Sequence, residues 1–452
     1  MSFKRSSLGR SAYSIVQTFG ARLYRRSIIS AEKLTADQAE DYLLSNAKKE
    51  LLQAKKSILF YDGQGYSKAA LSTSLSDFLK CLPVINKATL KNKDGSFFPK
   101  NWKKGKTSHT TSGSSGSPLT IFSSIKERFY GEALLCRQIE KVTQKWGVRN
   151  CLILSGFYVN DSHDEERFFT RDWINNNIYI SIYHLTPANV GKYIAALQKF
   201  KPEIIYGYAS SLHTVAQMLA AVNYVASDVK MIISTSEILQ QNWRTLIGQS
   251  FGAPVHNLYG SQEGCHFAFE CANGVMHIHP ARGVIEVQNS EGLHRDGRGV
   301  AVVTPIKRPS FPVFRYSLED VVKISSPKKC ACGLNTYQID EIDGRSEDLV
   351  VSRDGRKVGY LNFHATKDVK GLLESQLVQK NWEDFDFLYV PSIVDEAKLL
   401  ELEGKIKSEL SRRLGMPIKV DFLRVERIPR NARGKFKAVV VDRKFLETCS
   451  PI

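Results

Sequence analysis

Residues 204–212 have the sequence Ile-Ile-Tyr-Gly-Tyr-Ala-Ser-Ser-Leu, in which a short apolar run passes directly into small residues. This run lies within residues 187–221, where apolar side chains otherwise recur at helical intervals. Similar apolar runs occupy residues 151–154 and 231–233, and another helical pattern covers residues 123–146. Short buried strands that alternate with helices are typical of an α/β fold, so we predict helices packed on a buried sheet.

Two further regions extend this prediction. Residues 284–324 alternate polar and apolar side chains between turn glycines, which predicts an antiparallel β region. Helical spacing indicates a helix over residues 31–57 and another over residues 396–414. The second helix has strand-like segments around it, at residues 386–390, 419–425 and 437–441. The C-terminal part therefore has enough elements for a small, mobile α+β lid domain.

Composition excludes several classes of protein. The chain has 452 residues, of which 42% are hydrophobic and 24% charged, as in a folded globular protein rather than a disordered or fibrous one. Its eight cysteines are unevenly spaced, which favours a reducing compartment over a disulfide framework. Neither a secretory signal nor an apolar run of about 18 residues is visible. We therefore expect a cytoplasmic protein.

The net charge of +17 is unusual, and the first 31 residues carry six of the cations with no acidic residue. Within this basic arm, Val16, Phe19 and Leu23 share one face of a predicted helix. The arm loosely resembles a transit peptide rich in arginine and serine, and two further interpretations stay open. The arm could lie on the anionic inner face of a membrane, or it could pack on the main domain through that apolar stripe.

A loop rich in serine and glycine covers residues 103–118. Its hydroxyl and free backbone N–H groups are suited to binding phosphate oxygens, although a flexible linker has the same composition. Only two residues separate Gly113 from Gly116, and no lysine follows them, so this is not a Walker loop.

Seven short motifs follow one another along the chain, and their order is more specific than any one of them. They are Thr110–Pro118, Tyr206–Leu212 and Ser234–Glu237, followed by Tyr259–Glu263, Arg315–Asp320 and Gly344–Asp348, and the basic segment Pro429–Lys435 closes the series. This set resembles the adenylate-forming superfamily of acyl-CoA synthetases and ligases. The closest similarity is to the branch of phenylacetate-CoA ligase and the CapK-like proteins of polysaccharide gene clusters.

The resemblance implies a reaction in two steps. A carboxylate attacks the α-phosphorus of ATP to give an acyl adenylate and pyrophosphate, and a second nucleophile then displaces AMP. By family analogy Glu263 would bind Mg²⁺, Tyr259 would stack on adenine, and Asp320 and Arg345 would hold the ribose. The phosphates would lie on Thr111, Ser112, Gly113, Ser114, Ser115 and Gly116, and the adenine would also contact Ser236, Glu237, Gly260 and Ser261. In this sequence the residue before Asp320 is Glu319, whereas relatives usually have glycine at the position before this aspartate.

The same resemblance assigns a catalytic cation to the lid. Lys435 would stabilise charge that grows between the carboxylate and the α-phosphate. The hinge would lie at Glu347. We accordingly expect a basic arm at residues 1–31, an adenylation domain at residues 32–345 and a lid domain at residues 346–452.

A second group of residues predicts a structural zinc site. Cys271, His277, Cys330 and Cys332 supply the thiolates and imidazole that suit tetrahedral Zn²⁺, and they match a pattern of the CapK-like branch. Cys265 and His279 are alternative fourth ligands.

The predicted function is therefore an AMP-forming carboxylate ligase that uses ATP and Mg²⁺ in polysaccharide biosynthesis. The acceptor could be the thiol of CoA or an amine of an amino acid or amino sugar. The competing prediction is a catalytically degenerate basic protein that binds an anionic membrane or nucleic acid. The retained site residues argue against it, and the sequence has no module of interleaved basic and exposed aromatic residues for nucleic acid.

Overall fold

The computed structural model describes residues 7–91, 106–110, 119–155, 169–181, 187–261, 263–345, 349–351, 353, 357–359, 372–391, 395–414, 416–429, 437, 439–442 and 445. The helices of this part are α1 (Ser7–Arg22), α2 (Arg25–Glu32), α3 (Ala36–Ser57), α4 (Gln64–Leu71), α5 (Leu75–Lys80), α6 (Lys87–Lys91), α7 (Ile125–Thr143), α8 (Val190–Phe200), α9 (Ala209–Ala221), α10 (Gln241–Phe251) and α11 (Glu396–Leu414). None of these helices is both long enough and apolar enough to cross a bilayer.

The first strands form a hairpin and the parallel part of a large sheet. They are β1 (Lys106–Thr110), β2 (Thr120–Ser124), β3 (Cys151–Ser155), β4 (Phe169–Asp172), β5 (Asn177–Ser181), β6 (Ile204–Tyr208), β7 (Met231–Thr235) and β8 (Val255–Gly260). Strands β8, β7, β6, β3 and β5 are neighbours in that order and run parallel, whereas β4 closes the edge antiparallel to β5.

The following strands continue the same sheet in antiparallel fashion. They are β9 (Phe267–Glu270), β10 (Met276–Ile278), β11 (Gly283–Asn289), β12 (Gly292–His294), β13 (Gly297–Pro305), β14 (Tyr316–Lys329) and β15 (Asn335–Arg345). In the described part of the chain this sheet has 13 strands, in the order β12-β11-β13-β14-β15-β10-β9-β8-β7-β6-β3-β5-β4. The predicted α/β fold with a β-rich subregion is thus confirmed.

Both faces of the parallel strands are covered by helices. Neighbouring side chains of one strand point to opposite faces, and accordingly Ile232 joins the core under α8, α9 and α10 while Ile233 joins the core under α2 and α7. Likewise, Ile205 joins the core under α8, α9 and α10, and Ile204 joins the core under α2 and α7. This three-layer packing explains why the strands have continuous apolar runs rather than alternating ones.

The C-terminal residues form a separate small α+β unit. Strands β16 (Leu349–Val351) and β17 (Lys357–Gly359) pair with each other, and β18 (Leu372–Gln379), β19 (Asp384–Pro391), β20 (Lys419–Arg424) and β21 (Val439–Val441) form a sheet in the order β20-β19-β18-β21. Helix α11 has the predicted bounds. Its buried Leu399, Ile406 and Leu410 recur at helical spacing and pack in one core with Phe385 and Phe387.

The N-terminal helix packs with its polar side inward. Ser11 Oγ accepts a 2.9 Å hydrogen bond from the backbone N–H of Trp173, and Thr18 Oγ1 accepts one of 3.1 Å from Asn175. On the opposite face Phe19 is 70% exposed, and Leu23, just beyond the helix end, is also 70% exposed. The arm therefore packs on the main domain, but the interpretation that its apolar stripe makes this contact is wrong.

Candidate active site

A cavity of about 680 Å³ lies at the carboxyl ends of the parallel strands. Such a site, beyond the strand ends of an α/β sheet, is where these folds usually bind ligands. Its wall combines residues that follow β7 and β8 with residues of β14, β15 and the C-terminal unit. The sequence-predicted residues among them are Ser236, Glu237, Tyr259, Gly260, Ser261, Glu263 and Asp320. The fold thus brings together motifs that are far apart in the sequence.

Tyr259 and Asp320 meet directly in this wall. The Tyr259 hydroxyl donates a 2.8 Å hydrogen bond to Asp320 Oδ2, although the two residues belong to β8 and β14. The pairing of β14 with β15 places the backbone of Arg345 opposite Asp320, while the Arg345 side chain lies outside the described residues. Glu319 has φ 65°, a left-handed conformation that favours glycine. A glycine at this position would adopt the same conformation without steric strain.

Ser236 and Glu237 occupy the turn that leaves β7. Ser236 has φ 66°, so this turn holds a non-glycine residue in the left-handed region. Glu237 Oε2 accepts a 2.9 Å hydrogen bond from the backbone N–H of Ser210, in the first turn of α9. A carboxylate is stabilised at a helix N-terminus, so this bond fixes the turn against α9.

Glu263 is held in place by a buried arginine. Arg308 is 2% exposed, and its Nε donates a 2.9 Å hydrogen bond to the backbone carbonyl of Glu263. The same guanidinium donates to Ser123 Oγ and to the Phe122 carbonyl, each at 3.0 Å, and both residues belong to β2. Arg308 therefore connects the turn of Glu263 to the strand that follows the serine- and glycine-rich segment.

The phosphate segment itself lies largely outside the described residues. This applies to Thr111, Ser112, Gly113, Ser114, Ser115 and Gly116. The prediction of a loop from residue 103 is wrong for residues 106–110, which form β1, and Thr110 pairs with Thr120 of β2. Strand pairing supplies backbone hydrogen bonds that composition does not reveal.

The predicted catalytic Lys435 and hinge Glu347 also lie outside the described residues. Lys437, two positions beyond Lys435, lines the cavity, and its backbone carbonyl accepts a 2.8 Å hydrogen bond from Gln376 of β18. The C-terminal unit thus brings a cation to the cavity.

Two buried polar residues of the cavity wall belong to no motif found in the sequence. Arg282 is 5% exposed and His266 is 4% exposed, and both line the cavity. Burial, assisted by nearby positive charge, lowers the pKa of Arg282 to about 10 and that of His266 to about 3. No pattern in the sequence marks these two residues, because single arginines and histidines near strands are common.

The four predicted zinc ligands form a second cluster. All four ligand atoms lie within 4.8 Å of one another, with Cys271 Sγ 3.9 Å from Cys330 Sγ and Cys332 Sγ 3.3 Å from His277 Nε2. A tetrahedral ion with Zn–S bonds of about 2.3 Å would separate two sulfurs by about 3.8 Å. These separations fit a single metal ion.

The local backbone around these four residues is suited to metal binding. The turns Cys271–Gly274 and Cys330–Gly333 each end in a glycine with positive φ and close with a 3.0 Å backbone hydrogen bond to the first cysteine. Burial lowers the pKa of His277 to about 4, so its ring is neutral at neutral pH. Its Nδ1 lies 3.1 Å from Thr336 Oγ1, the type of contact that orients a metal-bound histidine.

The two alternative ligands lie elsewhere. Cys265 is fully buried in the main core, and His279 Nε2 lies 3.5 Å from Glu32 Oε1. Neither belongs to the four-residue cluster.

Comparison with known proteins gives matches to the sequence. Residues 350–442 match the family model of the CapK C-terminal domain. Protein CapK of Staphylococcus aureus is 29% identical over 273 residues, which are 60% of this chain and 59% of the relative. A phenylacetate-coenzyme A ligase of Aromatoleum evansii is 25% identical over 171 residues, 36% of this chain and 38% of that relative. The match thus spans about three fifths of CapK's length.

Among solved structures, a 2-hydroxyisobutyryl-CoA ligase in the postadenylation state, in complex with R3-HIB-AMP, superimposes with a TM-score of 0.72. It is 18% identical, and the match covers 92% of each chain, which shows a common fold. The resemblance to the adenylate-forming superfamily, in its CapK-like branch, is confirmed.

Proposed function

We propose that this protein is an ATP-dependent ligase that activates a carboxylate as an acyl adenylate and transfers the acyl group to a thiol or an amine. The observation that carries the proposal is the convergence of three separate motifs on one cavity. Ser236, Tyr259, Glu263 and Asp320 come from three different parts of the chain, and all line it. A volume of about 680 Å³ is typical of small-molecule sites.

Each residue keeps the role that the family resemblance implies. Glu263 binds Mg²⁺ between phosphate oxygens, since carboxylate is a preferred ligand of that hard cation. Asp320 accepts hydrogen bonds from the ribose, and Tyr259, which already donates to Asp320, stacks on the adenine. Lys435 would stabilise the charge that grows at the α-phosphate, and Lys437, two positions further along the chain, lines the cavity.

The test is ATP/pyrophosphate exchange that depends on an added acid, measured over aryl, fatty, amino and uronic acids. At least one acid should support exchange. Glu263→Gln should reduce the rate more than about tenfold, because it removes a direct metal ligand. Glu291→Gln, on the exposed turn between β11 and β12, should leave the rate unchanged. If no acid supports exchange, the proposed activity is wrong.

The finer parts of the proposal follow from the same resemblance. CoA, an amino acid or an amino sugar is the acceptor, and the reaction belongs to cytoplasmic polysaccharide biosynthesis. One structural Zn²⁺ is held by Cys271, His277, Cys330 and Cys332, whose spacing supports this role. The adenylation domain ends at residue 345, and the lid begins at residue 346.

We also propose that α1 docks this protein on an anionic membrane surface. The exposed side of the helix has Val16 and Phe19, followed by Leu23, and the adjacent turn adds Trp173, which is 63% exposed. Apolar side chains beside tryptophan and arginine are suited to the bilayer interface. The arm has six cations and no acid before Glu32, so it favours anionic lipid over a second, equally basic copy.

Sedimentation with vesicles tests this docking. Wild-type protein should bind vesicles with 30% phosphatidylglycerol more tightly than pure phosphatidylcholine. The double variant Phe19→Ser/Leu23→Ser should bind at least about tenfold more weakly, because it removes two apolar contacts. Leu71→Ser is the matched control, since Leu71 is 81% exposed on α4. Equal binding by the double variant and the control would contradict the proposal, as would dimer formation without lipid binding.

A further inference from the structure

Arg282 is a buried cation of the cavity wall that forms no carboxylate ion pair among the described residues, although its guanidinium lies 5.8 Å from the centroid of the Tyr130 ring. It lies between β10 and β11, where its backbone N–H donates to the His279 carbonyl and its carbonyl accepts from the Ile306 N–H. The backbone is thus fixed, but Nη1 of the side chain is buried and has no hydrogen-bond partner among the described residues. By contrast, Arg244 in the same wall is paired with Glu270 at 2.9 Å.

The two carboxyl groups that interact electrostatically with Arg282, those of Glu50 and Glu127, already have other partners. Glu50 accepts two hydrogen bonds from the Arg308 backbone N–H, at 2.9 and 3.1 Å, and burial raises the pKa of Glu50 to about 7. Glu127 accepts backbone hydrogen bonds from Ser124 and Ser310. The neighbouring charge of Arg308 has the same sign as that of Arg282 and adds to the unfavourable energy. A buried cation without a counter-charge destabilises a folded protein unless a ligand supplies that charge.

His266 offers a second unpaired group in the same wall. Both of its ring nitrogens are buried and have no hydrogen-bond partner in the described part of the chain. Its low pKa keeps the ring neutral, with one N–H to donate. The ring centroid lies 4.4 Å from that of Tyr259. His266 therefore lies beside the proposed adenine site.

The turn of Glu263 and Gly264 lies against the Arg282 guanidinium. Gly264 has φ 64°, and a Cβ added there would lie 2.7 Å from Nη2 of Arg282. The guanidinium thus lies next to the turn that carries the proposed Mg²⁺ ligand. A planar fork of N–H donors in this position can bind two oxygens of one anion.

We propose that Arg282 and His266 form an oxyanion subsite in the cavity wall, which binds a phosphate or a carboxylate group of the ligand. Only the identity of that ligand depends on the proposed function, whereas the existence of the subsite does not. Two sources share this chemistry: the phosphates of ATP and the carboxylate of the acid. The proximity of Glu263 makes the β- and γ-phosphates the expected source.

The stability of the ligand-free protein distinguishes a binding residue from a structural one. Arg282→Met keeps much of the side-chain volume and removes an uncompensated charge, so the melting temperature should rise. Arg244→Met is the matched control in the same cavity. It breaks the pair with Glu270, so the melting temperature should fall. A fall for both variants would show that Arg282 is structural and would overturn the proposal.

Calorimetric titration tests the subsite directly, with pyrophosphate, AMP and phenylacetate as probes. Arg282→Met should bind pyrophosphate about 10- to 100-fold more weakly, as expected for the loss of charged hydrogen bonds. The affinity of Arg282→Met for AMP should fall less than its affinity for pyrophosphate if the subsite holds the β- and γ-phosphates. A loss confined to phenylacetate would assign the subsite to the carboxylate of the acid instead. Arg282→Lys keeps the positive charge but not the planar fork of donors. Its affinity for pyrophosphate should therefore lie between those of the wild type and Arg282→Met.

Unchanged affinity for all three probes in Arg282→Met would overturn the proposal, and so would an equal loss in Arg244→Met. These titrations involve no chemical step. If exchange fails with every acid while pyrophosphate binding still depends on Arg282, the proposed activity is wrong and the subsite stands.

Discussion

Replacement of Arg308 by methionine should destabilise the protein severely. The Arg308 guanidinium is fully buried and donates hydrogen bonds to the carbonyls of Glu263 and Phe122 and to Ser123 Oγ, at 2.9 to 3.0 Å. Its Nη1 also lies 3.5 Å from Glu127 Oε2. Methionine keeps the approximate volume of the side chain but has no donor, so the two carbonyls and Ser123 Oγ each lose this hydrogen bond and Glu127 loses its buried counter-charge.

The magnitude follows from the burial of these groups. Each buried acceptor left without a donor costs about 1 to 3 kcal/mol, and breaking a buried ion pair costs about 3 to 5 kcal/mol in total. We expect the free energy of unfolding of Arg308→Met to fall by about 3 to 5 kcal/mol. The turn of Glu263 should also loosen, so half-maximal exchange activity should require more Mg²⁺.

Urea denaturation followed by circular dichroism measures the loss, with Arg298→Met as the control. Arg298 forms ion pairs with Glu341 and Asp343, but its side chain is 45% exposed, so its replacement should cost less than about 1 kcal/mol. Equal losses in the two variants would refute the reasoning, because solvent access would then not determine the cost. An unchanged Mg²⁺ requirement in folded Arg308→Met would refute the positioning of Glu263.

Three further outcomes are expected. Purified protein should contain one zinc ion per chain by elemental analysis, and Cys332→Ser should lose it while Cys81→Ser keeps it; zinc retained in Cys332→Ser would refute the site. Glu319→Gly should raise the free energy of unfolding by about 1 kcal/mol, because glycine adopts the left-handed conformation of this position without strain. Glu319→Ala should not raise it. The same gain in both variants would refute strain as the cause. Burial raises the pKa of Glu50 above its unfolded value, so the folded state holds the proton more tightly. The contribution of Glu50 to the free energy of unfolding is therefore fully present below about pH 4.5 and is lost as the pH rises to about 7. Glu50→Gln should remove this decline, which urea titrations at a series of pH values measure. An identical decline in the variant would contradict the assignment to Glu50.

Local patterns were sufficient for most of the fold. Alternating apolar runs and helical spacing predicted the three-layer sheet, because a buried strand needs apolar side chains on both faces. The lid helix was predicted with the bounds Glu396–Leu414, since its apolar spacing continues over the whole helix. Strand β1 was missed because Lys106–Thr110 is polar, and only its pairing with β2 makes it a strand.

The sequence by itself determined the resemblance, the four members of the Cys/His cluster and the motif residues of the cavity, because these residue types recur at recognisable spacings. It also showed that Val16, Phe19 and Leu23 share a face, since helical geometry fixes that relation. Only the tertiary structure decided that this face points outward, and that Arg282 and His266 are buried beside Glu263. Among the described residues, Nη1 of Arg282 and both ring nitrogens of His266 have no hydrogen-bond partner. Burial and partnership arise between segments distant in the chain, so no local pattern records them.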